Sequence, residues 1–159
     1  MTRRLVAVFS VLFVLSCTSA RSPDTPDDDT RLVSPASFER AWWAVTNVLA
    51  EHGWPIETES EVSGSVATEF VMVGVNSDRN ACPAFVGDNR RIDQMRCKLV
   101  VHVRSLSEQE TEIEVNAILE GRVVATYSSL SERFIKWTPC SSTGTIEKEI
   151  LHAVEVELL

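Results

Sequence analysis

The chain has 159 residues, with 15 Lys and Arg against 23 Asp and Glu, for a net charge of −8. So acidic a chain repels DNA, RNA and anionic lipid, which argues against a nucleic-acid partner. Length and composition suit one domain with one core once the N-terminal segment is set aside.

Arg3 and Arg4, the apolar run Leu5 to Leu15, and the small residues Ser16, Ser19 and Ala20 form the three parts of a secretory leader. The apolar run is too short to span a bilayer, which takes roughly 20 residues. Two cleavages fit. One falls before Cys17, where Val14-Leu15-Ser16-Cys17 reads as a lipobox, and the other after Thr18-Ser19-Ala20. The lipobox reading is preferred, with residues 1–16 as signal peptide and Cys17 as the lipidated first residue. From Cys17 onward 13 basic residues face 23 acidic ones, a charge of −10. Membrane attachment would therefore come from the lipid rather than from a basic patch. Residues 17–33 then form an acidic, Pro- and Asp-containing disordered tether.

Residues 34–159 read as a single α+β domain. Ser34-Pro35 supplies an N-cap and first-turn proline. Phe38, Ala41, Trp42, Val45, Val48 and Leu49 share one helical face that stops at Gly53. Trp43 falls outside that stripe and is a candidate partner contact, with packing at the stripe's edge as the alternative. Ile56 to Ser60 predicts a short strand, Glu61 to Gly64 a turn, and Ser65 to Val73 the next strand. Asn76 to Gln94 reads as a long polar loop.

Cys97, Leu99, Val101 and Val103 alternate with polar residues, as do Ile113, Val115, Ala117 and Leu119, which predicts an antiparallel hairpin with one core face. Lys98 and Arg104 are expected to face Glu112 and Glu114 across it. Gly121 marks a turn or bulge, and Val123 to Tyr127 a further strand. Ser141 to Gly144 caps a second helix, with Ile146, Ile150, Leu151, Val154 and Leu158 on its core face and Glu147, Lys148, Glu155 and Glu157 in solvent. The sum is an antiparallel sheet of about four to five strands with two helices on one face.

Chemistry-bearing patterns are sparse. No G-x-S-x-G, H-E-x-x-H, P-loop or G-x-G-x-x-G occurs, so no catalytic residue, cofactor or metal is assigned and a non-enzymatic protein is expected. His52, His102 and His152 lack ligand spacing. Of the domain's cysteines, Cys82 could pair with Cys97 or with Cys140; loop closure favours the two by about 3 and 4 kcal/mol, too close to decide. Alternation puts Cys97 on the core face, where a free thiol behaves as a small hydrophobe.

Several stretches together resemble the BamC (NlpB) type of outer-membrane lipoprotein. They are the lipobox Cys17, the helix Phe38-Glu39-Arg40-Ala41-Trp42, Gly64-Ser65-Val66-Ala67-Thr68, Cys82-Pro83, Arg96-Cys97-Lys98-Leu99, and Trp137 to Glu147. The resemblance implies a helix-grip domain, a Cys82–Cys140 disulfide with Cys97 free, and a lipid anchor at the periplasmic face of the outer membrane. It further implies a non-catalytic accessory or adaptor role through contacts with an envelope protein. BamC proper has two such domains and a long N-terminal segment, whereas this chain offers one domain and a short tether. A helix-grip module could instead hold a small apolar ligand, expected under Trp42 and Phe38.

Overall fold

The computed structural model describes residues 30–75, 80–82, 89–128 and 131–159. The expected leader, Cys17 and the tether up to Asp29 lie outside the described residues. The elements run β1 (Arg31–Ser34), α1 (Phe38–Glu51), β2 (Ile56–Ser60), β3 (Ser65–Thr68), β4 (Val71–Val73), β5 (Asn80–Ala81), β6 (Arg90–Ser107), β7 (Glu110–Ser128), β8 (Ser131–Ser142) and α2 (Thr145–Leu158). The fold is α+β, as the hydrophobic pattern predicts. Seven strands form one antiparallel sheet, more than the four or five expected, and β5 pairs with the far end of β8.

Two long strands account for much of the difference. β6 and β7 pair from Arg90↔Ala125 to Ser107↔Glu110, so the hairpin extends well beyond the alternating stretch that announces it. Gly121 is no turn: it pairs with Met95 on one side and Thr138 on the other. A Cβ there would come within 2.7 Å of the Ile92 side chain, so the missing side chain gives Ile92 its space. Val123 to Tyr127 continues β7 instead of starting a new strand, and Arg90 to Gln94 belongs to β6 instead of the preceding loop.

The sheet also begins earlier than the tether boundary suggests. Arg31, Leu32 and Val33 pair with Glu114, Ile113 and Glu112, which takes them out of the tether. Ser34 pairs with Thr111 in the same ladder, so it cannot cap α1. Ser37 does so instead, its Oγ accepting from the Arg40 N–H at 3.4 Å. At the other end Gly53 adopts φ +75°, and the Trp54 N–H donates to the Leu49 carbonyl at 2.8 Å, closing the helix as its sequence predicts.

The expected strand Ser65 to Val73 is broken. Ala67 pairs with Val100 but Val71 with Cys97, so four residues on one strand span three on the other. Thr68 sits at this irregularity, fully buried, and its Oγ1 accepts the Leu99 N–H at 2.9 Å in place of a backbone carbonyl. The buried polar side chain thus satisfies a ladder donor that the bulge would orphan.

Cys97, Leu99, Val101 and Val103 on β6 and Ile113, Val115 and Leu119 on β7 are buried as alternation predicts. They form one core with Ala41, Val45, Val48 and Leu49 of α1 and Ile146, Ile150, Leu151 and Val154 of α2. Burying that apolar surface stabilises the domain by roughly 25 cal/mol per Å2. Glu147 departs from expectation: it is only 3% exposed. On the edge of β7, β1 covers Thr111 to Glu114 and β8 covers the stretch from Leu119 onward, leaving a gap. Glu147 fills it, Oε1 accepting the Ala117 N–H at 3.3 Å and Oε2 the Ser142 hydroxyl at 2.8 Å.

Candidate functional site

At the end where α1 stops, an open groove of about 710 Å3 runs between β4 and the first half of α2. The α1 stop explains its position. Gly53 turns the chain so that His52 and Trp54 flank the opening, and the Pro55 carbonyl accepts the Glu69 N–H at 2.7 Å as the chain enters β2. Val71 to Gly74 form one wall, and Ile146, Ile150 and Ala153 of α2 form the apolar part of the other. His152 and Glu149 stand on the same wall.

The groove is not where a ligand was expected. The Phe38 and Trp42 rings stack with centroids 5.9 Å apart and pack against the core, and neither lines the groove. Trp43 lies outside it too: the residue is 58% exposed, with its carbonyl accepting the Thr46 hydroxyl at 3.1 Å. Exposed indole on a helix face is a recognisable contact feature, but the structure does not join it to the groove.

The sheet face away from the helices carries its charges largely in pairs. The Arg96 guanidinium lies 4.2 Å from the ring centroids of both Phe70 and Trp137, and its Nε and Nη2 reach Glu120 Oε2 at 2.7 and 2.5 Å. Packing between two π faces holds the guanidinium while one carboxylate neutralises it. Arg122 makes two hydrogen bonds to Asp93, at 2.9 and 2.5 Å, and they hold that carboxyl below its usual pKa. Arg104 pairs with Glu112 as expected, at 2.8 Å. Lys98 instead pairs with Glu57 of β2, and Glu114 with Arg31 at 3.6 Å. Cross-strand register explains this: Lys98 stands opposite Ile118, and Glu114 opposite His102 and beside β1. Exposed pairs of this kind contribute only about 0–1 kcal/mol each.

Cys82 and Cys140 form a disulfide with Cα atoms 4.8 Å apart, the pairing the BamC-type resemblance implies. It ties β5 to the end of β8, just before α2 begins. Cys97 is free and buried, and burial, with Glu147 nearby, pushes its thiol up to about 12. Such a thiol is inert as a nucleophile. His102 lies on the outer face of β6, far in sequence register from the groove that His52 and His152 border. Among the described residues no group of three or more His, Cys, Asp or Glu could hold a metal. No described helix is long and apolar enough to cross a membrane.

Sequence reasoning missed the groove and the buried Glu147. The signal for Glu147 was available, since 147, 150, 151, 154 and 158 share one helical face. The groove left none, because its walls come from three separated segments. Compared with models of known protein families the chain matches none, and compared with curated proteins it matches none either.

Proposed function

We propose that this chain is a lipid-anchored accessory protein of the bacterial-type cell envelope, held by Cys17 at the periplasmic face of the outer membrane. In this reading its helix-grip, BamC-like domain works without catalysis, as an adaptor through protein–protein contacts. The observation that carries the reading is the Cys82–Cys140 disulfide. A crosslinked domain of this size belongs in an oxidising compartment, which agrees with a leader ending at a cysteine. The exposed Trp43 and the open groove offer contact surfaces.

Cys17→Ser tests the anchor: the variant is expected to lose membrane fractionation and to change in leader processing. A variant that still fractionates with membranes and is processed as before rules out the lipoprotein reading. Crosslinking in intact cells followed by pull-down from membranes tests the adaptor role, which predicts recovery of envelope proteins, outer-membrane assembly components among them. Recovery of none counts against it.

A second reading, a module for a small apolar ligand, is favoured by the groove's volume of about 710 Å3, which falls within the roughly 300–1,000 Å3 of ligand pockets. Native mass spectrometry of protein purified from cells checks it, since a resident ligand adds a discrete mass.

A further inference from the structure

The groove wall made by β4 has an edge that no described strand covers. β4 pairs with β6 on one side only, while β2 stops beside β3. The backbone direction along that edge follows from two hydrogen bonds further along β6. Leu99 donates its N–H to Thr68 Oγ1 and Val103 donates to the Gly64 carbonyl, so the odd-numbered residues of this part of β6 point their N–H groups toward β3 and β4. The same parity appears on the next strand. Ala117 stands opposite Leu99, and its N–H points away from β6, to Glu147.

Continued to Cys97 and Met95, the alternation makes Val71↔Cys97 and Val73↔Met95 the hydrogen-bonded pairs of the β4–β6 ladder. Met72, opposite Arg96, is then the non-bonded pair, and its own N–H and C=O point outward along the open edge. Among the described strands β4 has β6 as its sole ladder partner, so the outward groups of Met72 face no described strand. The Met72 side chain is 59% exposed and shares the outer sheet face with Arg96. Val71 and Val73, which have the opposite side-chain parity, face α2.

We infer that the groove takes an extended peptide segment of a partner protein as an added strand on β4, held by paired hydrogen bonds to the Met72 N–H and C=O. This inference rests on the adaptor reading and specifies its contact. Strand addition at an open edge takes affinity from main-chain hydrogen bonds and specificity from alternate side chains. Here every second side chain of the added strand enters the space between Val73 and the α2 residues Ile150 and Ala153, with Trp54 at its end. That space takes an apolar side chain. The net charge of −10 after Cys17 favours a segment flanked by basic rather than acidic residues.

The test uses random nonapeptides displayed on phage, selected against the full chain in detergent, with the enriched peptide then synthesised and its affinity measured. Proline at an edge position removes only an N–H that the β4–β6 ladder does not use. Met72→Pro is therefore expected to weaken binding about tenfold, and Met72→Ala, which keeps the N–H, to bind more tightly than Met72→Pro. In the parent, peptide binding is expected to slow hydrogen exchange at the Met72 amide, which keeps the test open should Met72→Pro misfold. Failure to enrich any peptide, full affinity in a folded Met72→Pro, or an unprotected Met72 amide each overturns the inference. The membrane crosslinking described above tests the adaptor reading separately, so the failure of one is distinguishable from the failure of the other.

Discussion

The helix layer ends in two different ways. At the end where α1 begins and α2 finishes, the space is filled. The Arg40 guanidinium donates to the Leu158 carbonyl at 2.6 Å, the Thr111 hydroxyl donates to the Ala36 carbonyl at 2.8 Å, and the Val103 N–H donates to Gly64 at 2.7 Å beside Phe38. At the end where α1 finishes and α2 begins, the groove leaves the space unfilled. That end is held by the Cys82–Cys140 crosslink and by Glu147, which clasps Ala117 and Ser142. Side chains that fill a space also block it, so an end that stays open has to be fixed from its margins.

Breaking the crosslink is the strongest challenge to that comparison. Replacing both Cys82 and Cys140 by Ser is expected to cost about 4 kcal/mol in the chain-entropy account of a loop this long, read as a fall in the urea midpoint. The loss is expected to be local as well as global, with faster hydrogen exchange in the first turns of α2 than at Leu158. Uniform exchange across α2 would mean that the disulfide does not define the open end.

Gly64→Ala challenges the filled end. At φ +62° a Cβ would lie 2.0 Å from the Val103 carbonyl oxygen, so strain and a backbone clash act together. The expected cost is about 3 kcal/mol, measured in the same unfolding experiment. Thr68→Val, beside the bulge between β3 and β4, leaves the Leu99 N–H without its acceptor and is expected to cost about 2 kcal/mol.

A pH series probes the core that both ends share. Cys97 has its thiol pKa raised from 9.0 to about 12 by burial, reinforced by Glu147. Its contribution is complete below pH 9. As the pH climbs from 9 toward 12 the unfolded chain releases the proton while the folded one keeps it, so stability falls. Thermal melts are expected to show this slope in the parent and a shallower one in Cys97→Ala. At the small end of the scale, Met72→Ala in the groove wall is expected to change stability by less than about 0.5 kcal/mol. A larger loss would mean that the groove wall is structural.

Much of this architecture was legible locally. The helical stripe from Phe38 to Leu49 and the alternation from Cys97 to Leu119 are properties of short windows, and both faces are buried as read except that Phe38, Trp42 and Ala117 are partly buried. What escaped depends on partners distant in sequence. Leu32 and Val33 look like tether until Glu112 and Ile113 stand beside them, and Gly121 looks like a turn until strands pair on both sides. Glu147 shares the core face of its helix, but the open Ala117 N–H that satisfies its buried carboxylate belongs to another element. The groove depends on three segments distant in sequence meeting at one end of the helix layer, which residue types do not reveal.

β1 has a mechanical consequence. It is the first described strand, it is four residues long, and among the described strands it pairs with β7 alone. A pull that reaches β1 from its N-terminal side is borne by the short ladder to Thr111–Glu114. A pull along the strand loads those hydrogen bonds together, and a pull across it opens them one by one. With four residue pairs against the far longer β6–β7 register, this ladder is expected to yield first under tension, which would uncover Ile113 and the Ala36 end of the core.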